Sequence, residues 1–266
     1  MEPFKLPFRG FGIAGAWGAG KTLMALDLLV MARAGGVPKE ELLVLDTHGS
    51  VEPYLMLDQY KDVFTYVQCL LQKDLSKVLA EIKKEGKRKK ILVFDTVEML
   101  QDVFVEQVFE DPSLSDAFRE KMSGVLWGRV KKELLYKILD LFVTVGESAI
   151  FTIHTANEYV GSKPSGRMKA KFLAPFFQLC QAVAVLSRQP NKKLPDANFF
   201  PPLGKSQFPA LPPNIQEFGW PKFFKYIGQT PADWAALKKD EMVTDGLELL
   251  RTMAKLSGPE PGENTE

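Results

Sequence analysis

Gly15-Ala16-Trp17-Gly18-Ala19-Gly20-Lys21-Thr22 fits the pattern Gly-x-x-x-x-Gly-Lys-[Ser/Thr] at every fixed position. Glycines at this spacing let the backbone curl until successive N–H groups face one centre, which suits phosphate oxygens. The apolar run at residues 11–14 reads as a short strand leading into the loop. Residues 21–34 carry apolar side chains at helical spacing and close on Gly35-Gly36, so the loop opens directly into a helix. The positive N-terminal end of that helix adds to the anion site. A glycine-rich turn without a ligand has no need of a strand before it and a helix behind it. The loop therefore implies a nucleoside triphosphate, with ATP and Mg2+ as the expected cofactors. Gly15, Gly18, Ala19, Gly20, Lys21, Thr22 and Leu23 would line the nucleotide; Lys21 would reach the β- and γ-phosphates and Thr22 would ligate magnesium.

Outward from this loop, short apolar runs alternate with helical patterns, which predicts an α/β fold with a parallel sheet and crossover helices. Strands are expected at 41–46 (ELLVLD), 63–67, 91–95 (ILVFD) and 149–154 (AIFTIH), and helices at 75–84 and 127–145. Asp95 ends a buried apolar strand, the position from which a carboxylate holds magnesium through water. It also begins Asp95-Thr96-Val97-Glu98, which reads as a helix start that Asp95 would cap. Both roles are compatible. Hydrolysis requires a group that orients or deprotonates water. Glu98 is the first choice, with Asp46 and His48 as alternatives in the loop after the second strand. Thr152 and His154, polar positions at the tip of an otherwise apolar strand, suit a sensor of the γ-phosphate.

Composition bounds the remaining possibilities. The chain has 266 residues, 45% hydrophobic and 25% charged, the balance of an ordinary globular protein, and its net charge of +1 leaves nucleic-acid contact to a local patch. The two cysteines, Cys69 and Cys180, lie in apolar stretches without a CxxC partner and read as reduced core residues of a cytoplasmic protein. Residues 1–10 show no apolar h-region, and no apolar run is long enough to span a bilayer. One domain over residues 1–256 is expected. Within it, 189–231 is rich in proline and aromatic residues and irregular, 233–256 is a last helical stretch, and 257–266 is a disordered polar tail.

The order of the glycine loop, LVLDTHGS, ILVFDTVEML and FTIHTANEY resembles the RecA-like P-loop ATPases of phages, including their single-strand annealing and recombination proteins. The resemblance covers residues 10–230. It implies a mostly parallel twisted sheet with helices on both faces and the nucleotide at the C-terminal strand ends. It also implies a homo-oligomer, ring or filament, with ATP between subunits. Where such proteins have Asp-Thr-Glu after the second strand, this chain has Asp46-Thr47-His48. Gly204-Lys205-Ser206-Gln207-Phe208 resembles a Lys-Ser-Arg segment that reaches the neighbouring subunit's nucleotide. By that likeness Lys205 is a trans-acting finger, and Gln207 stands in the place of an arginine.

Residues 157–172 follow the sensor strand and hold Lys163, Arg167, Lys169 and Lys171 among glycines and aromatics. That mixture suits neutralising a backbone and stacking bases, so this loop is the expected contact for single-stranded DNA. The basic run at 83–90 is the weaker choice, since charges before a strand usually form a solvated turn. The expected function is ATP hydrolysis coupled to single-stranded DNA in phage-type recombination or annealing. The alternative is an ATP-dependent switch whose partner is a protein.

Overall fold

The computed structural model describes residues 5–69, 72–86, 88–99, 105, 108–109, 113–140, 146–160, 163–170, 179–199 and 205–228. Apolar residues of high strand propensity build six parallel strands: β1 (Gly10–Gly15), β2 (Leu42–Asp46), β3 (Thr65–Gln68), β4 (Lys89–Asp95), β5 (Gly146–Val160) and β7 (Ala182–Ser187). Their order across the sheet is β3-β2-β4-β5-β1-β7. Three short antiparallel strands finish the β7 edge. These are β8 (Asp196–Asn198) and β9 (Lys205–Ser206), both on β7, and β10 (Asn214–Ile215) on β8. β6 (Lys163–Ala170) folds back on the outer half of β5.

Both faces of the sheet are apolar, as a buried parallel sheet requires. Phe11, Ile13, Leu42, Val44, Ile91 and Val93 belong to one core with α1 (Lys21–Ala34). The alternate residues Ala14, Leu43, Leu45, Leu92 and Phe94 belong to a second core with α3 (Gln72–Glu85) and α5 (Ser123–Asp140). The helices thus cover both faces. Two further short helices are α2 (Glu52–Leu55) and α4 (Asp116–Lys121).

Segment 189–231 closes the first core over its described residues. Phe199, Phe218, Trp220, Phe223 and Phe224 are buried and pack with Phe8 and Phe11. Each such side chain contributes about 1.5–3 kcal/mol by leaving water. Trp220 begins α6 (Trp220–Tyr226), and its indole N–H donates to the Met24 carbonyl of α1 at 2.6 Å. The edge of the sheet is therefore tied to the helix that follows the glycine loop.

Several boundaries differ from the sequence expectation for physical reasons. Lys89 and Lys90 extend β4 rather than forming a turn, because their ends pair with Glu85 and Glu147 at the rim. β5 does not stop at His154. It continues to Val160 and pairs with β6 across a bulge between Asn157 and Tyr159, so the expected flexible loop is a two-stranded ribbon. Lys163, Arg167 and Lys169 lie on β6, with Lys163 exposed; Lys171, the helical stretch 233–256 and the tail 257–266 lie outside the described residues.

A polar pair sits beside α1. Tyr60, itself buried, donates to Asp27 Oδ1 at 2.8 Å. Burial pushes the Asp27 carboxyl up to about 7, and the Tyr60 hydrogen bond opposes this only in part. A raised carboxyl favours the fold while protonated, so this contribution is complete below about pH 4 and is lost as pH rises through 7. Asp27→Asn is expected to raise stability at pH 8 by on the order of 2 kcal/mol and to change little at pH 4. Thermal unfolding at the two pH values checks this; an equal shift at both would contradict it.

Candidate phosphate site

The loop from Gly15 to Gly20 takes its shape from two glycines above all. A Cβ on Gly15 would stand 2.9 Å from Ala19 Cβ and 3.1 Å from the Leu186 carbonyl, so only glycine lets the loop leave β1 this closely. Gly20, at φ 91°, is left-handed where α1 begins. No side chain caps α1 and no acid occupies its first turn. The N–H groups and positive end of the helix are thus left for an anion.

Lys21 is buried, and its ammonium donates to the carbonyls of Gly15 at 3.2 Å and Ala16 at 3.0 Å. Burial pulls its pKa below the ordinary lysine value, while the Asp95 and Glu98 charges pull the other way. Both carboxylates therefore act on the ammonium from nearby.

Strand order explains how Asp95 meets Thr22. β5 lies between β1 and β4, and its Thr152 stands level with Ile13 of β1. Thr152 donates its hydroxyl to Asp95 Oδ1, bridging the gap between the strands. The other oxygen, Oδ2, accepts from Thr22 at 2.9 Å and from the Ser50 hydroxyl. Asp95 and Thr152 have no exposed surface. Thr47 pins the adjoining backbone, donating to the Thr96 carbonyl at 2.8 Å and accepting the Thr96 N–H at 2.9 Å.

The donor set bears on which metal could bind. It consists of hydroxyl and carboxylate oxygens with no sulfur, which suits a hard cation such as Mg2+. Among the described residues there is no cluster of three or more His, Cys, Asp or Glu side chains that could hold a metal by itself. Such a cage is unnecessary for Mg2+, which takes one or two carboxylates and completes its shell with water and phosphate. Thr22 and Asp95 therefore fit that cation.

Glu98, one turn beyond Asp95, points its Oε1 at β5. It accepts the His154 backbone N–H at 2.9 Å and also contacts His154 Nδ1. Its Oε2 is buried with no partner. Burial raises the carboxyl, but the hydrogen bonds and charge of His154 outweigh it and hold the group below its ordinary value. His154 is level with Gly15, so the sensor position lies beside the loop.

The other two candidates for water activation sit in different surroundings. Asp46 is wholly buried and accepts from the backbone N–H groups of His48, Gly49, Ser50 and Val51 and from the Tyr66 hydroxyl. Those bonds occupy its carboxylate in shaping the loop that delivers Ser50. His48 Nδ1 has no hydrogen-bond partner, and its ring stands edge-on to Trp17 at 6.0 Å and near His154 at 6.1 Å. Lys205 pairs with Val183, which itself pairs with Gly12, so it lies three residues below the level of Gly15 and apart from this chain's own loop.

Sequence reasoning did not identify Ser50 or Trp17. Nothing in the local pattern around Ser50 shows that the Asp46 turn carries it to Asp95. Trp17 is 75% exposed and stacks on the His154 ring at 4.1 Å and 29°, a contact made only by the strand order. No helix among the described residues is long and apolar enough to cross a membrane.

An anion cradle, a buried cation, oxygen donors for a hard metal and a carboxylate in reserve form a set suited to phosphoryl transfer to water. Residues 9–177 match the family model described as an AAA domain, which spans more than half of the chain. No curated protein matches the sequence.

Proposed function

Because the chain belongs to the AAA domain family, a class of nucleotide-binding ATPases, we propose that it binds ATP with Mg2+, hydrolyses it, and couples the cycle to single-stranded DNA in recombination or annealing of the phage type. The observation that carries the nucleotide chemistry is the Thr22–Asp95 hydrogen bond at the mouth of an uncapped helix. Mg2+, when bound, would supply neutralisation of phosphate charge. The loop N–H groups from Gly15 to Leu23 hold phosphate oxygens, and Lys21 exchanges its carbonyl partners for the β- and γ-phosphates. Thr22 and Asp95 would hold the cation. Glu98 orients the attacking water, and His154 senses the γ-phosphate. Lys205, away from its own loop, would serve the nucleotide of a neighbouring copy in a ring or filament.

The β5–β6 ribbon supports the DNA reading. It extends from the sensor strand and brings Lys163, Arg167 and Lys169 onto one strand. A strand contacting DNA there would be linked to the nucleotide through β5 itself. One observation favours the alternative, a protein partner: Phe118, Val125, Trp127 and Tyr136 on α4 and α5 are exposed.

ATP turnover with and without single-stranded DNA, together with the mass of the assembly in both states, tests the proposal. Stimulation that fades steeply with added salt is expected. Turnover indifferent to DNA, with no assembly, would remove the recombination role and leave the protein-partner reading.

A further inference from the structure

We propose that Trp17 is a positioning residue that latches Glu98 out of action until the phosphate loop is filled. The inference rests on the nucleotide reading above and adds a control to that same site. A tryptophan 75% exposed in this glycine loop contributes nothing to either core. Its ring contacts among the described residues are with the two histidines: stacked on His154 at 4.1 Å and edge-on to His48 at 6.0 Å.

His154 in turn holds Glu98. The backbone N–H and Nδ1 of His154 both meet Oε1, so that oxygen is filled twice. Oε2 is buried with no partner. Oε1 is occupied and Oε2, though unpartnered, is shut off from solvent, so neither oxygen meets an incoming water in this state. Turning the His154 ring removes the Nδ1 contact and leaves Glu98 held by the backbone N–H alone, free to swing about it, and the indole is stacked against that ring.

Lys21 supplies the release. Its ammonium is bound to the carbonyls of Gly15 and Ala16, the two residues immediately before Trp17. To reach a phosphate, Lys21 must give up those carbonyls, and the peptide that carries the indole loses its tether. Trp17 then leaves His154, His154 turns toward the loop, and Glu98 is released. Filling of the loop and readiness of the water-orienting group become one event.

The chain has two histidines, so their ring protons are separable by NMR in the whole protein. Without nucleotide, the His154 ring protons should be shifted upfield by the stacked indole, and His154→Gln identifies them. Trp17→Ala should remove that shift. Adding a non-hydrolysable ATP analogue with Mg2+ to the unmodified chain should move the protons toward the same position. In turnover, Trp17→Ala should raise basal kcat by about threefold to tenfold with KM changed less than twofold, the range expected for losing one aromatic stack, and Trp17→Phe, which can still stack on His154, should raise it less. If the analogue binds, seen by calorimetry, and the His154 protons stay where they were, the latch is wrong while the nucleotide site stands. If Trp17→Ala lowers kcat, the latch is equally wrong. If the analogue does not bind, both the latch and the site assignment fall.

Discussion

Lys21→Ala is expected to lower ATP turnover by about 100-fold or more, because it removes a buried cation aimed at the charge that develops on the transferred phosphate. The electrostatics of the site argue for an effect of this size. Burial already holds the Lys21 pKa below the ordinary value, and only Asp95 and Glu98 nearby oppose the shift. A cation kept in such a place against its own hydration acts far more strongly on phosphate than one in water. The fold should tolerate the change. The ammonium bonds to the carbonyls of Gly15, which is buried, and Ala16, which is exposed and open to water in its place. The comparison is turnover against thermal midpoint for Lys21→Ala and for Lys21→Met, which keeps the volume. Turnover within twofold of the unmodified chain would mean that the glycine loop is not the reacting site.

The glycine loop and its helix were legible because their chemistry is local: eight consecutive residues fix the curl, the cation and the hydroxyl. Asp95 was legible at one remove, as a polar end on a buried apolar strand. Thr152 could be named as a polar strand tip, but its partner could not be. The Thr152–Asp95 bond exists only because β5 inserts between β1 and β4, and strand order is a property of distant segments. The surroundings of Asp46 were hidden for a related reason. By type and position it equals a catalytic acid, yet a tight turn returns four backbone N–H groups to it. The basic segment after His154 reads as a loop because Gly161, Pro164 and Gly166 punctuate it. Pairing with β6 overrides those signals, since two adjoining strands satisfy each other's backbone groups. Trp17 gives no sign in sequence at all, being an unconstrained position of the motif that finds His154 only in three dimensions.

Glu98→Gln should separate hydrolysis from binding. Turnover is expected to fall by about 100-fold to 10,000-fold while nucleotide affinity changes little, the loss typical of removing a positioned acid–base group. The amide is a fair replacement structurally, since its oxygen can still accept the His154 backbone N–H now received by Oε1. The substitution therefore removes charge and basicity and leaves β5 and the 97–99 turn in place. The pH behaviour follows from the same contacts. Burial raises the Glu98 carboxyl, but its bonds to His154 win, and the group stays ionised below the ordinary carboxylate range. In the unmodified chain the acid limb of kcat/KM, which reports the nucleotide-free state, should lie below that range, so kcat/KM should not fall between neutral pH and pH 5 on account of Glu98. Glu98→Asp, one methylene short, should then recover only part of the rate, because position rather than basicity is what it lacks. Tight nucleotide binding with turnover lost identifies Glu98 as the water-orienting group. Turnover retained in Glu98→Gln would pass that role to His48, whose ring stands 6.1 Å from that of His154.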